Sequence, residues 1–318
     1  MMENEYDLES ESLDELLSTA RSNSPASTGI PTPPFPGLSC LSSLHRGDVI
    51  EVRGPPGSGK THLLYYLICS CILPLRFGGW NKVSIVFDTD GTFDIHRLRT
   101  LLRARLPDSF SSDEIATGQI VALRNIHIFR PKSSSQLAAG LANLSSYHMR
   151  NLPTSEIALL AIDSASSFYW LDCVEAEQLA SAHPISLATP LSIVRSLWDF
   201  RRSHYPVTVI LTWGQSPTSA ARNDPLQLYG LSLPSFPTSV NRISSIPKSS
   251  HDFFLTHQIT LDLIRIVPPS HNAANEQEMS SLPQHLDIHV HVKTAINHTE
   301  LLHMQINSQQ VLITISDV

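Results

Sequence analysis

The spacing of apolar positions divides the chain into three stretches. Residues 1 to about 36 show no period, whereas from Gly37 to Trp213 short apolar runs alternate with segments whose apolar residues recur every three or four positions. The runs at 48–53, 82–88 (KVSIVFD), 125–129, 156–163 (EIALLAID) and 206–213 (PVTVILTW) predict strands. The most continuous of them have the character of strands buried on both faces of a parallel sheet. Between them, helices are predicted at 60–73, closed by Pro74; at 93–106, with Ile95, Leu98, Leu102 and Leu106 in register and Pro107 behind; at 135–149; and at 190–204. Beyond residue 253 the pattern turns to period two, at 253–267, 285–294, 301–306 and 311–316, with no helical segment between. Strands alternating with helices of about 10 to 15 residues make βαβ units. The expected fold class is therefore α/β, a mainly parallel sheet with helices on both faces and an antiparallel C-terminal extension.

Composition adds boundaries to this picture. A chain of 318 residues, 42% hydrophobic, can bury one core of ordinary size, so one domain is expected over 37–318. The segment 1–36 joins an acidic run to a Ser/Pro stretch too poor in large apolar groups to offset its ordering entropy, and a disordered tail is expected there. Loops are expected at about 164–188, 215–250 and 268–284, the last two rich in Ser, Pro, Asn and Thr. The longest apolar run, 63–73, is too short to cross a bilayer, and the N-terminus is acidic where a secretory signal is basic, which predicts a soluble intracellular protein without membrane association.

The net charge of −7 comes from the tail: seven of the 29 acids precede Arg21, and the remainder holds 22 acids against 22 bases. A neutral body fits a protein that touches DNA through local loops or works within a complex, and excludes a high-affinity DNA coat. Arg97, Arg103 and Arg105 lie on one face of the helix at 93–106, expected to be solvated. The four cysteines form no C-x-x-C pair, and no disulfide framework or zinc knuckle is suggested.

The candidate chemistry begins at Gly54-Pro55-Pro56-Gly57-Ser58-Gly59-Lys60-Thr61, a G-x-x-x-x-G-K-[ST] pattern between a predicted strand and a predicted helix. Glycines let the backbone approach phosphate oxygens, Lys60 reaches the β and γ phosphates, and the Thr61 hydroxyl faces Mg²⁺. The following helix contributes its N-terminal N–H groups and dipole. A second Mg²⁺ contact, through water, is expected from a carboxylate ending a neighbouring strand, and Asp163 is that residue. Ser164 follows where many ATPases place a catalytic glutamate, so a water-activating carboxylate has to come from VFDTDG, with Asp90 preferred over Asp88. Aspartate is one methylene, about 1.5 Å, shorter than glutamate, and a base about 1 Å out of place can lose roughly a hundredfold in rate. Gln215, after the strand at 206–213, stands where a side chain could sense the γ-phosphate or simply open a loop. His289 and His291 share a strand face with Asp287 and Lys293, which reads as a wet face because no third metal ligand is near in sequence.

The succession GDVIEVRGPPGSGKT, VFDTDGTFD, EIALLAIDSASSFYW and VILTWGQ resembles the RecA-type recombinase core, and within it the eukaryotic recombinase paralogues of the X-ray-repair cross-complementing kind. HLLYYLICSCILP and DSASSFYWLD carry the closer likeness, which covers roughly 47–215. The resemblance implies a RecA-like P-loop NTPase domain binding ATP and Mg²⁺. It further implies a nuclear role in homologous-recombination repair, within a complex of recombinase paralogues that assists the main strand-exchange recombinase and meets DNA through that complex. It places Asp90 where the core carries its catalytic glutamate, and 164–188 and 215–250 at the two DNA-facing loops. It also implies that the helical N-terminal DNA-binding domain of full-length recombinases is missing ahead of Asp48. A DNA-stimulated ATPase, a P-loop kinase of a small metabolite and a module with a purely structural nucleotide are the rival expectations; the kinase lacks an arginine-rich lid segment.

Overall fold

The computed structural model describes residues 47–106, 109–168, 170–172, 174, 188–204, 206–213, 255–267, 285–294 and 299–315. The tail at 1–36, Gln215, the loops at 215–250 and 268–284 and most of 164–188 lie outside the described residues.

Five strands, β1 (Val49–Gly54), β2 (Val83–Asp88), β3 (Ile126–Phe129), β4 (Ile157–Asp163) and β5 (Val207–Trp213), run parallel. β6 (His257–Val267) continues parallel beside β1, and then β7 (His285–Thr294), β8 (Thr299–Ile306) and β9 (Val311–Ile315) fold back antiparallel. Among the described residues these strands make one sheet in the order β3-β2-β4-β5-β1-β6-β7-β8-β9. A mainly parallel α/β sheet with an antiparallel extension is what the hydrophobic pattern anticipates.

Helices α1 (Lys60–Ile72), α2 (Ile95–Arg105) and α3 (Ser112–Arg124) cover one face. On the other lie α4 (Ser134–Ala142), α5 (Leu144–Asn151) and α6 (Ala188–His204). Alternation along a strand feeds both layers: in β2, Val86 enters the α1 cluster while Ile85 and Phe87 enter the α4–α6 cluster. α1 is almost wholly buried from Leu63 to Ile72, so it sits in the core where an amphipathic helix would ride on it. Full burial of each such Leu or Ile is worth about 1.5–3 kcal/mol.

Two departures from the expected elements have local causes. The pattern anticipates one helix between β2 and β3, and the structure has two. α3 is weakly apolar, but Ser111 and Glu114 form a capping box, each side chain accepting from the other's backbone N–H, and Ile115, Gly118 and Ala122 face inward at helical spacing. The helix expected at 135–149 is divided at Asn143, whose side chain donates to Ala139 O at 2.9 Å and competes with the helical ladder. β4 is also not the immediate neighbour of β1; β5 pairs with both.

Candidate phosphate and cation site

All parallel strands deliver their C-terminal ends to one rim, and there a cavity of about 990 Å³ opens. The loop 54–59 leaves β1 near the middle of the sheet and enters α1 at Lys60. Gly59 has φ 88°, and a Cβ there would meet Ile288 Cδ1 at 2.7 Å and Ile306 Cδ1 at 2.8 Å. At Gly54 a Cβ would lie 2.9 Å from Leu261 O and 2.4 Å from Ser58 Oγ. Both glycines therefore let the loop fold tightly against β6, β7 and β8, with Gly57, Gly59, Lys60 and Thr61 lining the cavity at the start of α1.

Lys60 Nζ donates to Gly54 O at 2.7 Å and to Pro55 O at 2.9 Å, curling over its own loop. Burial pushes its pKa down, opposed by the charges of Asp163 and Asp90. Thr61 Oγ1 donates to Asp163 Oδ2 at 3.0 Å, joining positions 102 apart in sequence. Asp163 is buried and its pKa rises to about 6, because desolvation and the neighbouring Asp90 and Asp88 outweigh the Thr61 hydrogen bond and Lys60. A carboxylate held so expensively gains from any cation that approaches it.

The two acids of VFDTDG have separate fates. Asp88 is buried and committed to Arg130, whose Nε donates to it at 2.8 Å, and it also accepts from Phe93 N at 3.4 Å. Asp90 is exposed, lines the cavity, and accepts from Thr92 N at 3.0 Å and Thr92 Oγ1 at 2.7 Å. Thr89 between them ties the ends of β2 and β4 together: its N–H donates to Asp163 O at 2.7 Å, and its hydroxyl accepts from Ser164 N at 2.7 Å. The Asp163–Ser164 peptide is cis.

Several cavity residues have no motif to announce them. His62, on the first turn of α1, packs edge-on to Tyr65, and burial followed by the charge of Arg97 lowers its pKa to about 4, so it stays neutral. Tyr65 OH accepts from Asp94 N at 2.7 Å, and burial pushes its pKa to about 12. Arg97, expected on a solvated face, turns into the cavity wall and donates to Asn307 O and Ser308 O in the β8–β9 turn. Arg105, on the same helix but outside this cavity, donates to Tyr66 O and Ser70 Oγ and stacks over the Tyr66 ring. Only helical spacing could have signalled these, since His62 and Tyr65 stand one turn apart. Trp170, 69% exposed, lies at the cavity mouth beside Ser166 and Ser167. Gln215 is outside the described residues, although β5, the strand that leads to it, runs between β1 and β4.

Chemically, this arrangement offers backbone donors, an ammonium and a helix N-terminus to an anion, and beside them a hydroxyl and a buried carboxylate to a hard divalent cation. Those are the donor types a polyphosphate with Mg²⁺ requires, and the residues present fit that pair.

The family model described as Rad51 matches residues 41–221. The mouse DNA repair protein XRCC2 is 41% identical over 133 residues, covering 42% of this chain and 45% of the mouse protein. The XRCC2 homolog of Arabidopsis thaliana is 26% identical over 174 residues, 44% of this chain and 46% of that protein. Human DNA repair protein RAD51 homolog 2 is 25% identical over 131 residues, 41% of this chain and 31% of its own length. The chain thus spans less than half the length of each of these relatives.

Proposed function

Because the chain belongs to the Rad51 family, we propose that it is an ATP-binding recombinase paralogue acting in homologous-recombination repair of DNA double-strand breaks. In this reading it works in the nucleus with other recombinase paralogues, in a complex that assists the main strand-exchange recombinase and contacts DNA. The observation that carries the reading is the Thr61–Asp163 hydrogen bond, which puts the hydroxyl of the loop and the carboxylate of β4 at one point on the rim.

Gly54, Pro55, Pro56, Gly57, Ser58 and Gly59 would wrap the phosphates with their backbone, and Lys60 would leave the Gly54 and Pro55 carbonyls to reach the β and γ phosphates. Thr61 would hold Mg²⁺ directly and Asp163 through water; when bound, the ion offsets phosphate charge and fixes phosphate geometry. Asp90, on the cavity wall, would orient a water molecule. Its carboxylate is engaged by Thr92 in its own turn and is one methylene shorter than a glutamate, which supports slow hydrolysis and a nucleotide used mainly to shape a protein interface.

Titration of the purified protein with ATP and Mg²⁺ tests the site: Lys60→Ala should weaken binding by about a hundredfold or more, and unchanged affinity would remove the assignment. A turnover assay with single-stranded DNA tests the chemistry. Asp90→Glu should raise the rate and Asp90→Asn should leave a low rate unchanged. Fast turnover abolished by Asp90→Asn would instead make the protein a DNA-stimulated ATPase. Affinity purification with mass spectrometry, with and without ATP, should recover other recombinase paralogues in the nucleotide-bound sample.

A further inference from the structure

The antiparallel extension carries a side-chain cluster that the nucleotide site does not use. Ile288, Val290 and Val292 of β7 are buried against the α1 side, so Asp287, His289, His291 and Lys293 face the other way. The ladder sets His289 directly opposite His303 of β8 on one side and Asp262 of β6 on the other. The His289 ring lies 6.2 Å from that of His291 and 6.5 Å from that of His303, centroid to centroid. Carboxylates flank the outer two: Asp262 Oδ2 is 3.6 Å from His291 Nε2, and Asp287 Oδ1 is 3.4 Å from His303 Nε2. The third imidazole that a His-x-His pair lacks in sequence thus arrives from the next strand.

We propose that His289, His291 and His303 form a binding site for a late first-row divalent cation, Zn²⁺ foremost, with water as the fourth ligand. Imidazole donors select Zn²⁺, Cu²⁺ or Ni²⁺ over Mg²⁺ and Ca²⁺, so the site is chemically distinct from the oxygen donors Thr61 and Asp163. Among the described residues no three such groups already converge on one point. Two imidazoles sharing Zn²⁺ at about 2.1 Å have ring centroids about 5 Å apart, so the His289 ring and each of its two neighbours must close by about 1 to 1.5 Å. The His291 side chain is 52% exposed and that of His303 28%, which leaves both room to rotate and a route for the ion. Asp287 braces His303 from its second nitrogen, the usual arrangement behind a ligating histidine, and Gln305 Nε2 holds Asp287 Oδ1 at 3.1 Å. Bound there, the ion cross-links β7 to β8 in the part of the sheet where, among the described residues, helices lie on one face only.

The full chain, stripped with a chelator and kept in excess Mg²⁺, is titrated with Zn²⁺ by calorimetry and with Co²⁺ by visible absorption. One ion per chain, a tetrahedral-type Co²⁺ spectrum and a Zn²⁺-dependent rise in melting temperature are expected. His289→Ala and His303→Ala should each weaken Zn²⁺ binding by more than about tenfold, and Asp287→Asn by about tenfold, whereas Asp163→Asn should leave it unchanged. ATP binding should be untouched by the histidine changes, which also reports that these variants fold; His303→Gln serves where the alanine variant does not. Equal Zn²⁺ affinity in the histidine variants and wild type, or a weak octahedral Co²⁺ spectrum, means an adventitious ion only and overturns the site.

Discussion

The two halves of the sheet bury themselves differently, and their chemistry follows. In the parallel half, from β3 to β1, helices cover both faces, so the strand interiors are mostly apolar, with Glu51, Ser84 and Thr208 as buried exceptions, and the candidate site lies at the rim where the strands end. In the extension, from β6 to β9, one face joins the α1 cluster, and among the described residues none of these strands joins the cluster of α4–α6. Its polar residues are therefore spread along a face. A doubly covered sheet focuses groups such as Asp163 at its edge and raises their energetic stakes, while a singly covered sheet displays histidines side by side at little cost.

The largest test of this contrast is Phe87→Ala. Phe87 is buried in the α4–α6 layer and stacks on Phe129, and its loss should cost about 3–5 kcal/mol in urea unfolding. A second test is alkaline pH. Burial in the parallel half raises Cys69 on α1 to about 12 and Tyr65 to about 12. The native state keeps protons that the unfolded chain releases above about pH 9 and 10, so stability should fall as pH rises through 9 to 12, by up to about 1.4 kcal/mol per unit for each group. Cys69→Ala should flatten that fall, and Cys69 should resist alkylation at pH 8 until the protein unfolds. Third, Asp163→Asn should stabilise the ligand-free protein by about 1–3 kcal/mol at pH 7, since it removes a buried charge beside Asp88 and Asp90. An unchanged melting temperature would mean that water relieves the carboxylate. The smallest effect is expected on the face that no described helix covers: in metal-free buffer His291→Ala should change stability by about 0.5 kcal/mol or less. A loss comparable to that of Phe87→Ala would show the face to be covered and erase the distinction between the halves.

Much of the parallel half was legible in advance because its signals are local. A fully apolar run means a strand buried twice, and a glycine-rich loop feeding a helix means an anion site, whatever the rest of the chain does. The missed helix α3 had a legible start in Ser111 and Glu114, but its inward face is small, with Gly118 against Phe77 and Ala122 one turn on, and produces little apolar period. Arg97 was misread for a different reason. Its helical position puts it beside solvated arginines, and only the arrival of the β8–β9 turn converts it into a wall of the cavity.

The sequence by itself determined that strands alternate with helices, that Gly54 to Thr61 form a glycine-rich loop running into a helix start, and that Asp163 ends a buried strand. Each of these depends on residues within one turn or one run of each other. Tertiary structure alone decided that Asp88 is spent on Arg130 while Asp90 faces the cavity, that β5 separates β1 from β4, and that His303 stands opposite His289. Those facts depend on which strands become neighbours and in what register. That choice is made by burying whole faces against one another, and periodicity along the chain carries no record of it.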